Sequence, residues 1–219
     1  MNISSSFALS SLSFPSLPFL LLYLYYICIT PFCEVDIYAG INVIYEDGCG
    51  IGMQEKTIIV NKTWQHFFIF VLALADFMGA LDATIVVISL PSIAHDFNAG
   101  TSMVSWVMIA YMLIIASFLL VFGKLGDLKG LKTVFIAGFV IFTLGSFLCG
   151  ISGSISYLII FRIIQGIGAA MFTAISPGMV PTFLPAEMRG NALGYVTTFS
   201  GLGLAVGPLI GGFISEYMT

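Results

Sequence analysis

From residue 64 onward the chain alternates between long apolar runs and short breaks that carry Gly, Pro or charge. The runs cover residues 64–90, 101–122, 133–151, 155–180 and 191–214. Each is long enough to cross about 30 Å of hydrocarbon at about 1.5 Å of helical rise per residue, with some tilt. The pattern therefore predicts five membrane-spanning helices. Pro91 ends the first, and residues 53–63 form a short polar leader before it.

Composition sharpens this picture. Hydrophobic residues make up 59% of the chain and charged residues only 8%, whereas a soluble surface needs roughly a quarter or more of its residues charged. The expected fold class is an all-α polytopic membrane protein. No basic patch suggests nucleic acid, and the net charge of −4 changes little. Cys28, Cys33, Cys49 and Cys149 have neither metal-ligand spacing nor the look of a disulfide framework, and read as structurally incidental. No His or Cys cluster, catalytic carboxylate pair or nucleophile motif stands in a loop, so no enzyme, metal or cofactor is expected.

Residues 1–52 do not follow the pattern. Residues 12–32 are apolar and about long enough for a span, and an acidic tract without periodicity, 34–52, comes next. No Lys or Arg precedes Lys56, so the positive start of a secretory signal is missing. An extra span, an uncleaved targeting segment and an over-long start all remain open. Met53 is the preferred start, because a charged, structureless tail is the usual form of a terminus.

The basic residues set the orientation. Lys56 and Lys62 precede the first run, Lys124, Lys129 and Lys132 follow the second, and Arg189 follows the fourth. The loops 91–100 and 152–154 carry neither Lys nor Arg. This alternation places residues 53–63 and the lysine loop in the cytoplasm, and Glu216 on the far side. The sequon Asn61-Lys62-Thr63 then faces the wrong side for glycosylation and reads as chance.

Three ionisable residues fall inside runs, where charge is expensive and marks a pathway or relay by default. Arg162 lies in the fourth run, Asp76 and Asp82 in the first. Asp82 lies nine residues before Pro91, about 13 Å below the outer end of its helix. Arg162 is some seven residues into a helix that enters from outside, roughly 10 Å deep. If the two helices line one cavity, Asp82 and Arg162 can pair directly or through water. Such a pair offsets part of the cost of each charge, and its breaking can follow protonation. A static bridge that only locks two helices is the other reading. Asp76 points about 120° away from Asp82 around the helix; it is either a proton or cation site or part of a solvated cavity wall.

Glycines mark three further stretches. Gln165, Gly166 and Gly168, followed by Ala169 and Ala170, let another helix come close. In the loop 123–132, Gly123, Gly126 and Gly130 permit a tight turn, and Asp127 is placed to cap the third helix. Lys129 and Lys132 anchor it, as in any topological loop. Gly203, Gly207 and Gly211 recur every four residues along one helix face, and Pro208 can bend the helix between them.

In order, these stretches resemble the major facilitator superfamily, and within it the drug:proton antiporters of the fourteen-span type. Leu81 to Val86 with Ser89-Leu90-Pro91 is similar to that family's first-helix signature, and residues 123–132 to its cytoplasmic loop. Arg162 with Gln165, Gly166 and Gly168 is similar to the fourth-helix motif. Gly203, Gly207, Pro208, Gly211 and Gly212 are similar to the fifth-helix antiporter motif, and residues 183–190 to the loop before it. The resemblance implies proton coupling through Asp82 and Arg162, and a cytoplasmic latch at Asp127 and its lysines. It also implies a bend at Gly207 and Pro208 that favours exchange.

Some positions depart from the family pattern. Val87 stands where Asn is usual, and Ser89 where Ala is common. Leu128 and Leu131 replace the two loop arginines, leaving Lys129 and Lys132 as cations without the planar bidentate fork. The family builds its path from two six-helix halves, and only five of those helices are accounted for here. The expectation is thus an incomplete N-terminal half of a multidrug transporter in the plasma membrane, driven by the proton gradient. Its partners would be small amphipathic or cationic compounds, protons, the lipid bilayer and a C-terminal half in cis or in trans. The alternative is a non-transporting helix-packing or assembly fragment, either a decayed gene product or the partner of a separately encoded second half.

Overall fold

The computed structural model describes residues 41–44, 56–59 and 61–217. The apolar segment 12–32 and the cysteines Cys28, Cys33 and Cys49 lie outside them. Five helices follow one another: α1 (Lys62–Asp96), α2 (Thr101–Lys129), α3 (Leu131–Gly150), α4 (Ile155–Phe183) and α5 (Ala186–Tyr217). All five contain stretches long and apolar enough to cross a membrane. Before them, β1 (Ile41–Ile44) pairs antiparallel with β2 (Lys56–Ile59), Ile41 opposite Ile59. This ribbon lies in the acidic tract and the polar leader, where the sequence shows no strand period. The spanning body is all α-helical.

The helices outrun the apolar runs. At 35 residues, α1 is about 52 Å long, well beyond the hydrocarbon. Pro91 does not end it: α1 continues through Pro91 to Asp96. A proline deletes one donor, and the bonds on either side carry the helix on. The expected loop 123–132 is mostly helix as well. α2 runs to Lys129, and only Gly130 turns the chain, at φ +92°. Glycine is the residue that adopts this conformation without strain. Asp127 therefore sits in the last turn of α2 and does not cap α3, whose N-cap is Gly130. Arg189 likewise lies inside the first turns of α5, where its Nε donates to Leu184 O at 3.2 Å.

Local caps explain several starts. Asn61 Oδ1 accepts from Thr63 N at 3.0 Å, so the sequon asparagine is the N-cap of α1. Ser154 does the same for α4, accepting from Tyr157 N. Gln65 Nε2 donates to Ile59 O at 2.6 Å and ties the ribbon to α1.

Packing divides the helices into two units. α1 lies along α5, while α4 lies along both α3 and α2; contacts between the two groups are sparser. The glycine pattern creates both units. A Cβ at Gly203 would come within 2.6 Å of Phe77 O, and Gly207 and Gly211 seat α5 on Thr84 and Ile85 of α1. Gly168 of α4 meets Gly138 and Phe142 of α3, Gly145 of α3 meets Gln165, and Gly166 of α4 meets Tyr111 and Ile114 of α2. Gly212 and Gly123 face open space, and Pro208 sits within an uninterrupted α5. Gly126, in the last turns of α2, is buried against Ile175 of α4.

Candidate functional site

The seam between the two packing units is lined by α1 and α4, and the buried polar side chains of Asp82, Arg162, Gln165 and Ser176 lie along it. Arg162 Nη1 donates to Asp82 Oδ2 at 2.8 Å, with the two side chains only 9% and 7% exposed. Gln165 lies about one turn along α4, so its amide reaches the same carboxylate. Its Nε2 donates to Asp82 Oδ1 at 3.0 Å and to Ser146 Oγ of α3 at 2.6 Å. Cys149 Sγ, one turn beyond Ser146, approaches Gln165 Oε1 at 3.8 Å. The Arg162 guanidinium lies 5.6 Å from the centroid of the Tyr111 ring of α2, a separation at which a cation is attracted to the ring face. Four helices thus converge on one charge pair.

Sequence spacing at fixed helical rise put Asp82 and Arg162 at similar depth, and the structure brings them together. The second carboxylate oxygen is taken by Gln165, which the sequence marked only as part of a close-packing segment. Ser146, Tyr111 and Cys149 carried no separable signal, since each is a single residue in a continuous apolar run. Small residues explain how they meet. With no side chain at Gly145, the α3 backbone can lie against Gln165, and this sets Ser146 within hydrogen-bonding reach.

Apolar side chains close the site along the helices. Val86, Val107 and Leu158, each one turn from Asp82, Tyr111 and Arg162, form a buried cluster on one side. On the other side Phe172, fully buried, packs against Phe139 and Phe142 and touches Gly79. Interactions between charges in such a water-poor place are strong, and the cost of leaving either charge alone is correspondingly large. Arg162 Nε is buried there without a hydrogen-bond partner.

Asp76 is not part of this network. It lies beyond Phe172 along the same seam, where Ser176 Oγ of α4 donates to its Oδ2 at 3.2 Å. Asp127 and Lys129 are exposed at the end of α2, and Lys132 is half-buried at the start of α3, 30 to 50 residues in sequence from the members of the charge pair. The bundle brings none of the three to it.

The Major Facilitator Superfamily model matches residues 72–219, which include the charge pair, the lysine turn and the α5 glycine stripe. The chain belongs to the major facilitator superfamily. Among curated relatives, the riboflavin transporter RibZ of Clostridioides difficile is 42% identical over 147 residues, covering 67% of this chain and 32% of that protein. A Salmonella paratyphi B protein named for multidrug resistance, MdtD, is 35% identical over 159 residues, covering 73% of this chain and 33% of its own length. The chain thus spans about a third of the length of the curated relatives it matches. Membership of this superfamily makes it an integral, multi-pass membrane protein of a transporter family, an all-α part of one transporter half.

Proposed function

We propose that this chain is the N-terminal part of a proton-coupled efflux transporter of the plasma membrane, exchanging small amphipathic or cationic compounds for protons. The remaining helices of the path come from the same or another chain. The observation that carries this reading is the Asp82–Arg162 pair, buried at the seam between the α1–α5 unit and the α2–α3–α4 unit. A proton arriving on Asp82 removes the charge that holds Arg162, and the ion pair across the seam becomes an ordinary hydrogen bond. Gln165 and Tyr111 remain to hold the two side chains in place. The units are then free to shift against each other, and loss of the proton on the opposite side restores the pair.

The other marked residues act on the movement in this proposal. Gly130 is the pivot between α2 and α3, and Asp127, Lys129 and Lys132 beside Gly123 form the cytoplasmic latch. Gly203, Gly207 and Gly211 keep α5 moving with α1, with Pro208 and Gly212 in its flexible part. Gly166 and Gly168 keep α4 with α2 and α3. Residues 53–63 and the lysine turn face the cytoplasm, and no bound cofactor takes part.

The relative named as a riboflavin transporter favours a second reading, in which the cargo is a neutral, flavin-sized ring compound. One experiment tests both. In everted membrane vesicles carrying the whole transporter, an imposed pH gradient should drive accumulation of ethidium, and Asp82→Asn should abolish it. Undiminished accumulation in that variant refutes proton coupling through Asp82. Gradient-driven transport of riboflavin without ethidium selects the second reading.

A further inference from the structure

Ser146 is a polar residue of α3 buried beside a charge pair that it does not itself touch. Gln165 links the two. Its side chain is fully buried, and all of its polar atoms are engaged. The amide Nε2 donates to Asp82 Oδ1 at 3.0 Å and to Ser146 Oγ at 2.6 Å, while Oε1 accepts from the Cys149 thiol at 3.8 Å. An ionised carboxylate can only accept, so this orientation of the amide suits a charged Asp82. With the amide turned over, Oε1 would face the carboxylate, and only a protonated Asp82 could donate to it. The two orientations of Gln165 therefore favour opposite forms of Asp82. Ser146, as the second acceptor for Nε2, favours the first.

We propose that Ser146 is a positioning residue that keeps the Gln165 amide hydrogens on Asp82 and so favours the ionised, Arg162-paired form of that carboxylate. This rests on the reading of Asp82 as the proton carrier and names a residue that regulates its charge. Without the Ser146 oxygen, the second amide hydrogen is a buried donor with no acceptor, which is costly. The amide relieves that cost by rotating, and rotation takes its other hydrogen away from Asp82. The charged and titratable neighbours of the carboxylate stay in place: Arg162 on α4, Tyr111 on α2 and Cys149 on α3. From the other side, α5 meets this stretch of α1 with Gly203 and Gly207. Through Gln165, α3 thus bears on a charge that belongs to α1.

The test is carbodiimide labelling of the purified whole transporter at neutral pH, with no gradient and no cargo. Dicyclohexylcarbodiimide reacts with a protonated carboxyl, and peptide mass spectrometry reads Asp82 and Asp76 separately. Ser146→Ala should raise the labelling rate of Asp82 by about fivefold, the effect of one hydrogen bond. Ser146→Cys, close in shape but a weak acceptor, should do the same. Gln165→Leu removes the donor outright and should raise the rate by about tenfold or more. Adding Ser146→Ala to Gln165→Leu should then change nothing further. Asp76, beyond Phe172 and bonded to Ser176 instead, is the internal reference and should keep its rate in Ser146→Ala. The proposal is overturned by an unchanged Asp82 rate in Ser146→Ala, or by equal rises at Asp82 and Asp76. A Ser146→Cys protein that labels like the unmodified one overturns it too, as does a further rise when Ser146→Ala joins Gln165→Leu. Labelling needs no transport. A protein that behaves as expected here, yet keeps undiminished efflux in Asp82→Asn, would sink the coupling reading and leave this one standing.

Discussion

Gly168→Ala is the sharpest test of how the site is held. A Cβ at Gly168 would lie 2.6 Å from Gly138 O and 2.8 Å from Phe142 Cα, and closer still to Phe142 N. Such contacts are ordinary from 3.4 Å, so the carbonyl approach alone falls about 0.8 Å short. These are backbone atoms of α3, and no side chain can rotate away to relieve them. The helices must separate, and a shift of that size would stretch the Gln165–Ser146 bond from 2.6 Å to the limit of a hydrogen bond. Overpacking costs about 1–3 kcal/mol, and contact with fixed backbone puts this site near the top of that range. Alanine recovers about 1 kcal/mol in helix propensity, leaving a net loss of about 2 kcal/mol. Gly178, ten residues along the same helix, has nothing within 4 Å of its added Cβ. Gly178→Ala should therefore be neutral or stabilising by up to about 1 kcal/mol. Thermal unfolding of both variants in detergent, scored against the unmodified transporter, reads the difference. Equal stability in the two would refute the close α3–α4 approach and the account of Ser146 that depends on it.

Two further predictions concern the seam and the α1–α5 unit. Arg162→Met leaves Asp82 buried without its cation and should cost about 3–5 kcal/mol of stability; adding Asp82→Asn should recover part of it. The cycle formed with Asp82→Asn alone should give a coupling of about 1–3 kcal/mol, and additivity within about 0.5 kcal/mol would speak against a direct pair. In the α1–α5 unit, a Cβ at Gly211 lies 3.5 Å from Ile88 Cβ, within the Cβ separation of a disulfide. The double variant Ile88→Cys with Gly211→Cys should cross-link under mild oxidation. Ile88→Cys with Leu204→Cys, at an exposed position, should not, and the reverse outcome would place α5 differently on α1.

What could be read from the sequence follows from one physical fact: a helix crossing a slab of fixed thickness converts residue number into depth. Composition against a bilayer determined the all-helical membrane class and the five apolar runs. Counting at fixed rise set Asp82 and Arg162 level with each other before any neighbour was known. The same counting misjudged the ends. Apolar patterning reports where lipid stops, whereas a helix stops where its backbone bonds stop, so α1 passes Pro91 and α2 absorbs most of residues 123–132.

Only the tertiary structure decided direction around each helix. Runs that are apolar on every side have no polar face to show which side meets which partner. Hence Gln165 bridging Asp82 to Ser146, Tyr111 against Arg162, and Ser176 on Asp76 were not legible. They depend on glycines at facing positions of different helices, Gly138 against Gly168 and Gly145 against Gln165. Each glycine stands in the sequence, but which backbone it admits is settled only when the helices pack.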